Sequence, residues 1–214
     1  MLDNFTERRP YNAVSDFVDA NVARGLGAKI ALIDPDRSLT YGELQTRSVR
    51  FANALRQLGL RHEERVALLL HDTVDYPVAF WGTIRSGSIA LPLNTFLNVS
   101  QYGYILADSR ASALVAAMPL AQAIWPIIDR LPHLRAIILV GAIADDKAAF
   151  PGREVHLFAD IIAAASAAPF TADTVSDEVA FWLYTSGSTG DPKGVKHVHS
   201  NLMATAKLLS LIHI

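Results

Sequence analysis

Between Tyr184 and Gly194 the chain reads Tyr-Thr-Ser-Gly-Ser-Thr-Gly-Asp-Pro-Lys-Gly, which brings four short hydroxyl side chains, three glycines and a lysine together. Glycines let backbone N–H groups turn inward and approach an anion closely. Ser and Thr add short donors, and Lys193 supplies a compact positive charge suited to phosphate oxygens. Clusters of Gly, Ser and Thr between periodic segments are often plain connecting loops. Here the density of donors beside one cation, directly after the apolar run Val179 to Leu183, points to a polyphosphate cradle. It is not the Walker A pattern, which spaces two glycines by four residues before Lys-Ser/Thr. After Gly187 and four intervening residues stands Pro192 where the second glycine should be, and Lys193 is followed by Gly194.

The order of these residues resembles the signature of the adenylate-forming superfamily, whose members include acyl- and aryl-CoA ligases, firefly-type luciferases and peptide-synthetase adenylation domains. Every fixed position of that signature is matched. The resemblance runs over about residues 11 to 208. It includes Tyr11-Asn-Ala-Val, Thr40-Tyr-Gly-Glu-Leu44 and Arg65-Val-Ala-Leu in the order of the family's N-terminal domain. Asp75-Tyr-Pro-Val-Ala-Phe-Trp-Gly82, followed by Pro92-Leu-Asn94, looks most like the benzoate and 4-hydroxybenzoate CoA ligases.

This resemblance implies a two-step reaction in which a carboxylate attacks the α-phosphorus of ATP and coenzyme A then displaces AMP from the acyl-adenylate. It implies that Thr185, Ser186, Ser188 and Thr189 donate hydrogen bonds to the β- and γ-phosphates. Gly187, Gly190 and Gly194 would permit close backbone approach, Lys193 would offset developing charge, and Pro192 would stiffen the loop. The implied cofactors are ATP, Mg2+ and coenzyme A as co-substrate, and the implied partner is a small-molecule carboxylic acid. A fatty-acyl-CoA ligase, a peptide-synthetase adenylation domain and a non-catalytic nucleotide-binding module remain alternatives. The family's catalytic lysine lies in a C-terminal region without counterpart here, so this chain alone is expected to be inactive. Residues 1–208 are expected to form part of the AMP-binding domain. The last six residues, Leu209 to Ile214, resemble a translated sequencing-library adapter and are expected to be non-native.

Other residue types that do chemistry are sparse. His197 and His199 lie at i, i+2, a spacing that metal pairs use, but no third ligand accompanies them, so packing or hydrogen bonding near the loop is the preferred role for His199. Trp81 and Trp182 are expected in the core rather than in an aromatic pocket. Asp34 and Asp36 flank Pro35 in a turn pattern. Cysteine is absent, which excludes disulfides, thiolate catalysis and cysteine metal sites.

A chain that is 51% hydrophobic and 19% charged has the composition of a globular domain with a sizeable core. Its formal net charge of -2, from interspersed acids and bases, argues against nucleic acid or an anionic membrane as the main partner. Two uncharged stretches, Ser86 to Ala107 and Ala111 to Ile128, are broken by prolines and amides at strand-and-turn spacing and read as buried α/β core, not membrane spans. The N-terminal residues Asp3, Glu7, Arg8 and Arg9 precede no apolar h-region, so a cytoplasmic location is expected.

The elements that must position the loop follow from periodicity. Thr40 to Glu43 is a capping-box pattern opening a helix with Leu44, Phe51, Leu55 and Leu58 on one face and Gly59 at its end. Strands are predicted at Val66 to Leu70, Ile89 to Leu93, Ser112 to Ala116, Ala136 to Val140, Val179 to Tyr184 and Val195 to Val198. Helices are predicted around Val78 to Arg85, from a Ser100 cap to Asp108, over Leu120 to Arg130, and after a Ser200 cap. Gly141 to Asp177 reads as irregular with one short helix near Ile161 to Ala165. This alternation predicts an α/β fold with a mostly parallel sheet flanked by helices, the N-terminal part of a larger adenylate-forming domain, with the glycine loop at a strand's carboxyl end.

Overall fold

The Glu43 amide donates to the Thr40 hydroxyl at 3.2 Å, while the Thr40 amide donates to the Glu43 carboxylate at 2.8 Å. These reciprocal bonds satisfy orphan donors and open helix α1 (Tyr41–Gln57), whose Leu44, Phe51 and Leu55 are buried. Beyond it Gly59 turns the chain at φ 77°. The structure, a computed structural model, describes residues 9–185 and 191–212.

Ahead of α1, β1 (Ile30–Ile33) and β2 (Ser38–Thr40) form an antiparallel hairpin. Its turn is held by Asp34, whose Oδ1 accepts the amides of Asp36 at 3.0 Å and Arg37 at 2.8 Å. Its Oδ2 accepts the Val74 amide at 2.9 Å, which ties the hairpin to the start of the helix that begins at Asp75. The Val74 bond, with the two turn amides, holds the Asp34 carboxyl below the usual range.

The main sheet comprises β3 (Arg65–Leu69), β4 (Ile89–Pro92), β5 (Ala113–Ala117), β6 (Ala136–Val140), β7 (Val155–Leu157), β8 (Val179–Thr185) and β9 (Lys193–Val198). Their order is β7-β6-β5-β3-β4-β8-β9, parallel throughout except for the antiparallel pair β8–β9. The inner strands β3, β5 and β6 are almost wholly buried, as strands covered on both faces must be.

Alternate residues feed two cores. Val66, Leu68, Val115 and Ile138 pack with α1, with α2 (Asp75–Arg85) and with α5 (Phe158–Ala164). Ala67, Leu69, Leu114, Ile137 and Leu139 pack on the other face with α3 (Val99–Asp108) and α4 (Met118–Ile124). The last helix, α6, is His199–Ile212, and its Leu202 joins the first core.

Several boundaries differ from the sequence expectations. Helix α3 is capped by Asn98, not Ser100: Asn98 Oδ1 accepts the Gln101 amide at 2.9 Å, and Gln101 Oε1 accepts the Asn98 amide at 3.1 Å. The predicted helix Leu120 to Arg130 is two pieces, because Pro126 lacks the N–H an α-helix needs and the chain tightens into a 3-10 helix over Trp125–Arg130. Helix α2 begins at Asp75, with Pro77 in its first turn, and α6 begins at His199, one residue before Ser200. The stretch 141–177 is more regular than expected. It holds a 3-10 turn at Ala144–Ala149, the edge strand β7, and α5, which starts at Phe158.

Trp81 stacks on Phe17 with centroids 5.3 Å apart and packs against the first core. Trp182 packs against the second core, where its buried Nε1 finds no acceptor among the described residues.

Candidate functional site

Strands β4 and β8 are parallel neighbours, and the chain leaves them in opposite directions. From β4 it crosses back past β3 to β5, whereas from β8 it turns outward to β9. Such a divergence opens a crevice beyond the carboxyl ends of the strands, where ligands of open α/β sheets sit. A cleft of about 130 Å³ lies there. Pro92, Leu93 and Asn94 line it from the end of β4, Gln101 and Ile105 from α3, and Tyr184, Thr185 and Pro192 from the β8–β9 hairpin.

The β4 side of the cleft is firmly built. Asn94 accepts the Phe96 amide on Oδ1 at 2.9 Å, and its carbonyl accepts the buried Tyr102 hydroxyl at 2.9 Å. Together with the Asn98 cap, these bonds anchor the connection from β4 to α3.

On the other side, Thr185 ends β8 and Lys193 begins β9, and the two are register partners across the hairpin. Both are exposed. The fold therefore brings the first hydroxyl and the only lysine of the Tyr184–Gly194 motif side by side at the hairpin mouth, a donor set suited to an oxyanion. The other expected phosphate contacts, Ser186, Gly187, Ser188, Thr189 and Gly190, lie outside the described residues.

Gly194 pairs with Tyr184. A Cβ on Gly194 would lie 3.2 Å from Tyr184 Cζ and 3.3 Å from its hydroxyl oxygen, so the ring covers the space a side chain would take. The Tyr184 hydroxyl in turn donates to Asp108 Oδ2 at 2.5 Å. Burial first, and then the Asp108 carboxylate, push the Tyr184 hydroxyl well above its usual pKa. Burial, followed by Asp108 and Asp191, also raises Tyr104. Asp108 was not anticipated from the sequence. It is 76 residues from Tyr184, and no local pattern links them.

The two histidines after the hairpin separate. His197 stays on β9 and stacks on Phe181, centroids 4.5 Å apart and planes 6° apart. His199 opens α6, is 2% exposed, and accepts the Ala13 amide on Nδ1 at 3.2 Å. Burial lowers its pKa to about 4, with Glu178 opposing and His62 assisting. Among the described residues no group of three or more His, Cys, Asp or Glu is placed to hold a metal ion. No helix among them is long and apolar enough to cross a membrane.

The fold is thus an α/β scaffold with a mostly parallel sheet and a crevice at the switch point between β4 and β8. Residues 19–213 match the family model of the AMP-binding enzymes, and the chain belongs to that family. It is 47% identical over 193 residues to a 4-hydroxybenzoate–CoA/benzoate–CoA ligase of Rhodopseudomonas palustris, a match covering 90% of this chain and 34% of the relative. To a benzoate–CoA ligase of Thauera aromatica it is 37% identical, over 92% of this chain and 36% of the relative. Among solved structures, an anthranilate CoA ligase in complex with anthranoyl-AMP superposes with a TM-score of 0.86 at 32% identity, covering 93% of this chain and 37% of that one. A benzoate CoA ligase from Burkholderia xenovorans superposes with a TM-score of 0.79 at 36% identity, covering 92% and 36%. The chain thus spans about a third of the length of the curated relatives it matches.

Proposed function

We propose that this chain is the triphosphate-gripping part of an ATP-dependent CoA ligase for an aromatic carboxylic acid of the benzoate or 4-hydroxybenzoate class. The observation that carries the proposal is the pairing of Thr185 with Lys193 across the mouth of the β8–β9 hairpin, beside the crevice at the end of β8. The aromatic class is supported by the benzoate ligases to which the chain is 47% and 37% identical.

On this reading a carboxylate oxygen attacks the α-phosphorus of ATP, the bond to the bridging oxygen breaks, and pyrophosphate departs. The thiolate of coenzyme A then attacks the acyl carbon, and AMP leaves. Such chemistry needs positioning and charge neutralisation more than covalent help from the protein. Thr185, Ser186, Ser188 and Thr189 supply hydroxyl donors, and Gly187 and Gly190 let the backbone approach. Lys193 carries the compensating charge. Gly194 leaves room for the Tyr184 ring as well as for the ligand. Mg2+ would be held by the phosphate oxygens of the nucleotide, since Mg2+ is commonly held by substrate oxygens and a few carboxylates, and would supply charge neutralisation there. A cytoplasmic location accords with a chain free of cysteine.

The direct test is titration of the chain with pyrophosphate and with Mg-ATP, followed by 31P NMR. Lys193→Ala is expected to weaken pyrophosphate binding about tenfold, the worth of one charge-assisted contact. Equal affinity in the unaltered and Lys193→Ala chains would remove the hairpin from the nucleotide site. For the acyl class, the complete ligase is offered benzoate, 4-hydroxybenzoate and hexanoate in turn, and a preference for hexanoate defeats the aromatic assignment.

A further inference from the structure

Tyr184 stands immediately before the phosphate loop and Gly194 closes it. One side chain touches both limbs and a third element as well. The Tyr184 ring lies over Gly194 on β9, its backbone belongs to β8, and its hydroxyl reaches Asp108, the last residue of α3. The other end of α3 begins at the Asn98 cap, and Gln101 and Ile105 of the same helix line the cleft. Tyr184 therefore ties the mouth of the loop to the helix that forms the opposite wall.

We infer that Tyr184 and Asp108 form a positioning clamp that fixes the hairpin mouth against α3 and so sets the affinity of the loop for phosphate without either residue touching the anion. The inference rests on the phosphate reading of the loop given above. The bond joins a hydroxyl donor to a carboxylate, so it is charge-assisted and directional. Asp108 is exposed, so once the bond is lost its carboxylate returns to water at little cost in stability. What is lost is orientation: Thr185 and Lys193, the next residues inward along each limb, are no longer held at one distance from the cleft.

The sign of the effect separates a clamp from simple electrostatics. Removing the Asp108 charge near an anion site should tighten anion binding if charge alone mattered. A clamp predicts the reverse. Tyr184→Phe and Asp108→Ala are each expected to weaken pyrophosphate binding about fivefold, the worth of one hydrogen bond. The double variant should lose no more than either single one, because both break the same bond. Asp108→Asn, whose side-chain oxygen still accepts from the hydroxyl, should restore most of the affinity. Thermal midpoints should stay within about 2 °C of the unaltered chain, consistent with loss of an exposed bond.

The experiment measures pyrophosphate affinity by 31P NMR and amide hydrogen exchange at Thr185, Lys193 and Gly194 for all four variants in the same chain. Faster exchange and weaker binding in Tyr184→Phe and Asp108→Ala, with recovery in Asp108→Asn, support the clamp. If the unaltered chain binds pyrophosphate and both variants bind it equally well or better, the clamp falls and the phosphate reading stands. If the unaltered chain binds none, yet exchange accelerates in both variants, the phosphate reading falls and the mechanical clamp remains. Unchanged exchange in both variants overturns the clamp outright.

Discussion

At the scale of single residues, His199 couples the segment before the first hairpin to the end of β9. Its Nδ1 is an acceptor for the Ala13 amide, a role open only to the neutral ring. Burial favours that form and lowers the pKa from 6.5 to about 4, helped by His62 and opposed by Glu178. An unfolded chain titrates this histidine near 6.5, so between about 6.5 and 4 the unfolded state binds the extra proton. The stability contributed by His199 is thus complete above pH 6.5 and is lost as pH falls towards 4. Thermal melts between pH 7.5 and 4 should show a falling midpoint, and His199→Asn, which keeps an acceptor but no titration, should flatten that slope. An identical acid limb in His199→Asn would assign the effect elsewhere. The residues of the site were legible to unequal degrees. Thr185 and Lys193 belong to an ordered local string, so their types and spacing announce them. Asp108 and the backbone role of His199 depend on partners 76 and 186 residues away, which no local pattern encodes.

At the scale of elements, the two longest helices ahead of the site are fitted to each other with almost no slack. Gly82 of α2 faces α1 so closely that a Cβ there would stand 2.7 Å from Phe51 Cδ1 and 3.0 Å from the Ser48 carbonyl oxygen. The approach is held at the helix start by Asp75, which is 7% exposed and accepts from Arg37 of the hairpin and from Arg47 of α1. Gly82→Ala must push α1 and α2 apart or bend Phe51 from its rotamer, an overpacking cost of about 1–3 kcal/mol. Denaturant titration should register that loss with an unchanged m-value, and a neutral or stabilising result would refute the close fit. The elements that were legible share a physical trait: their signal is local. The Thr40–Glu43 cap, the one-faced apolar positions of α1 and the continuous apolar runs of β3, β5 and β6 all lie within one turn or one strand. Those that were misjudged lack such a signal. Three-residue β7 gains its hydrogen bonds only from β6, and β1 and β2 are short strands, half-exposed apart from buried Leu39, whose pairing rests on the Asp34 turn. Ser100 lacks a partner for a capping box, whereas Gln101 stands three residues after Asn98 and completes the reciprocal cap.

At the scale of the whole molecule, alternation of strands and helices was enough to anticipate a parallel sheet, but not its order. The chain finishes one edge at β7, returns along α5 and the segment that follows, and lays β8 beside β4 on the far side. Pairings of that kind are settled by loop closure and by burial of both faces together, neither of which has a sequence period. The consequence is an uneven sheet. Its centre is sealed by helices, whereas β8 and β9 carry Leu183 and Val195 as register partners on one face, 39% and 42% exposed. On α6, Leu208 and Leu209 are 62% and 49% exposed. Adjacent apolar side chains left in water favour association with any surface that removes them from it. The 214-residue chain is therefore expected to self-associate as its concentration rises, and sedimentation velocity should show a growing fast component. Leu183→Thr with Val195→Thr keeps strand-forming side chains while replacing a methyl-rich pair by hydroxyls, so the sheet should persist and the association should weaken. If the double variant folds as the unaltered chain does and associates just as strongly, the apolar pair on β8 and β9 is not the surface that drives it, and the exposed leucines of α6 become the ones to exchange.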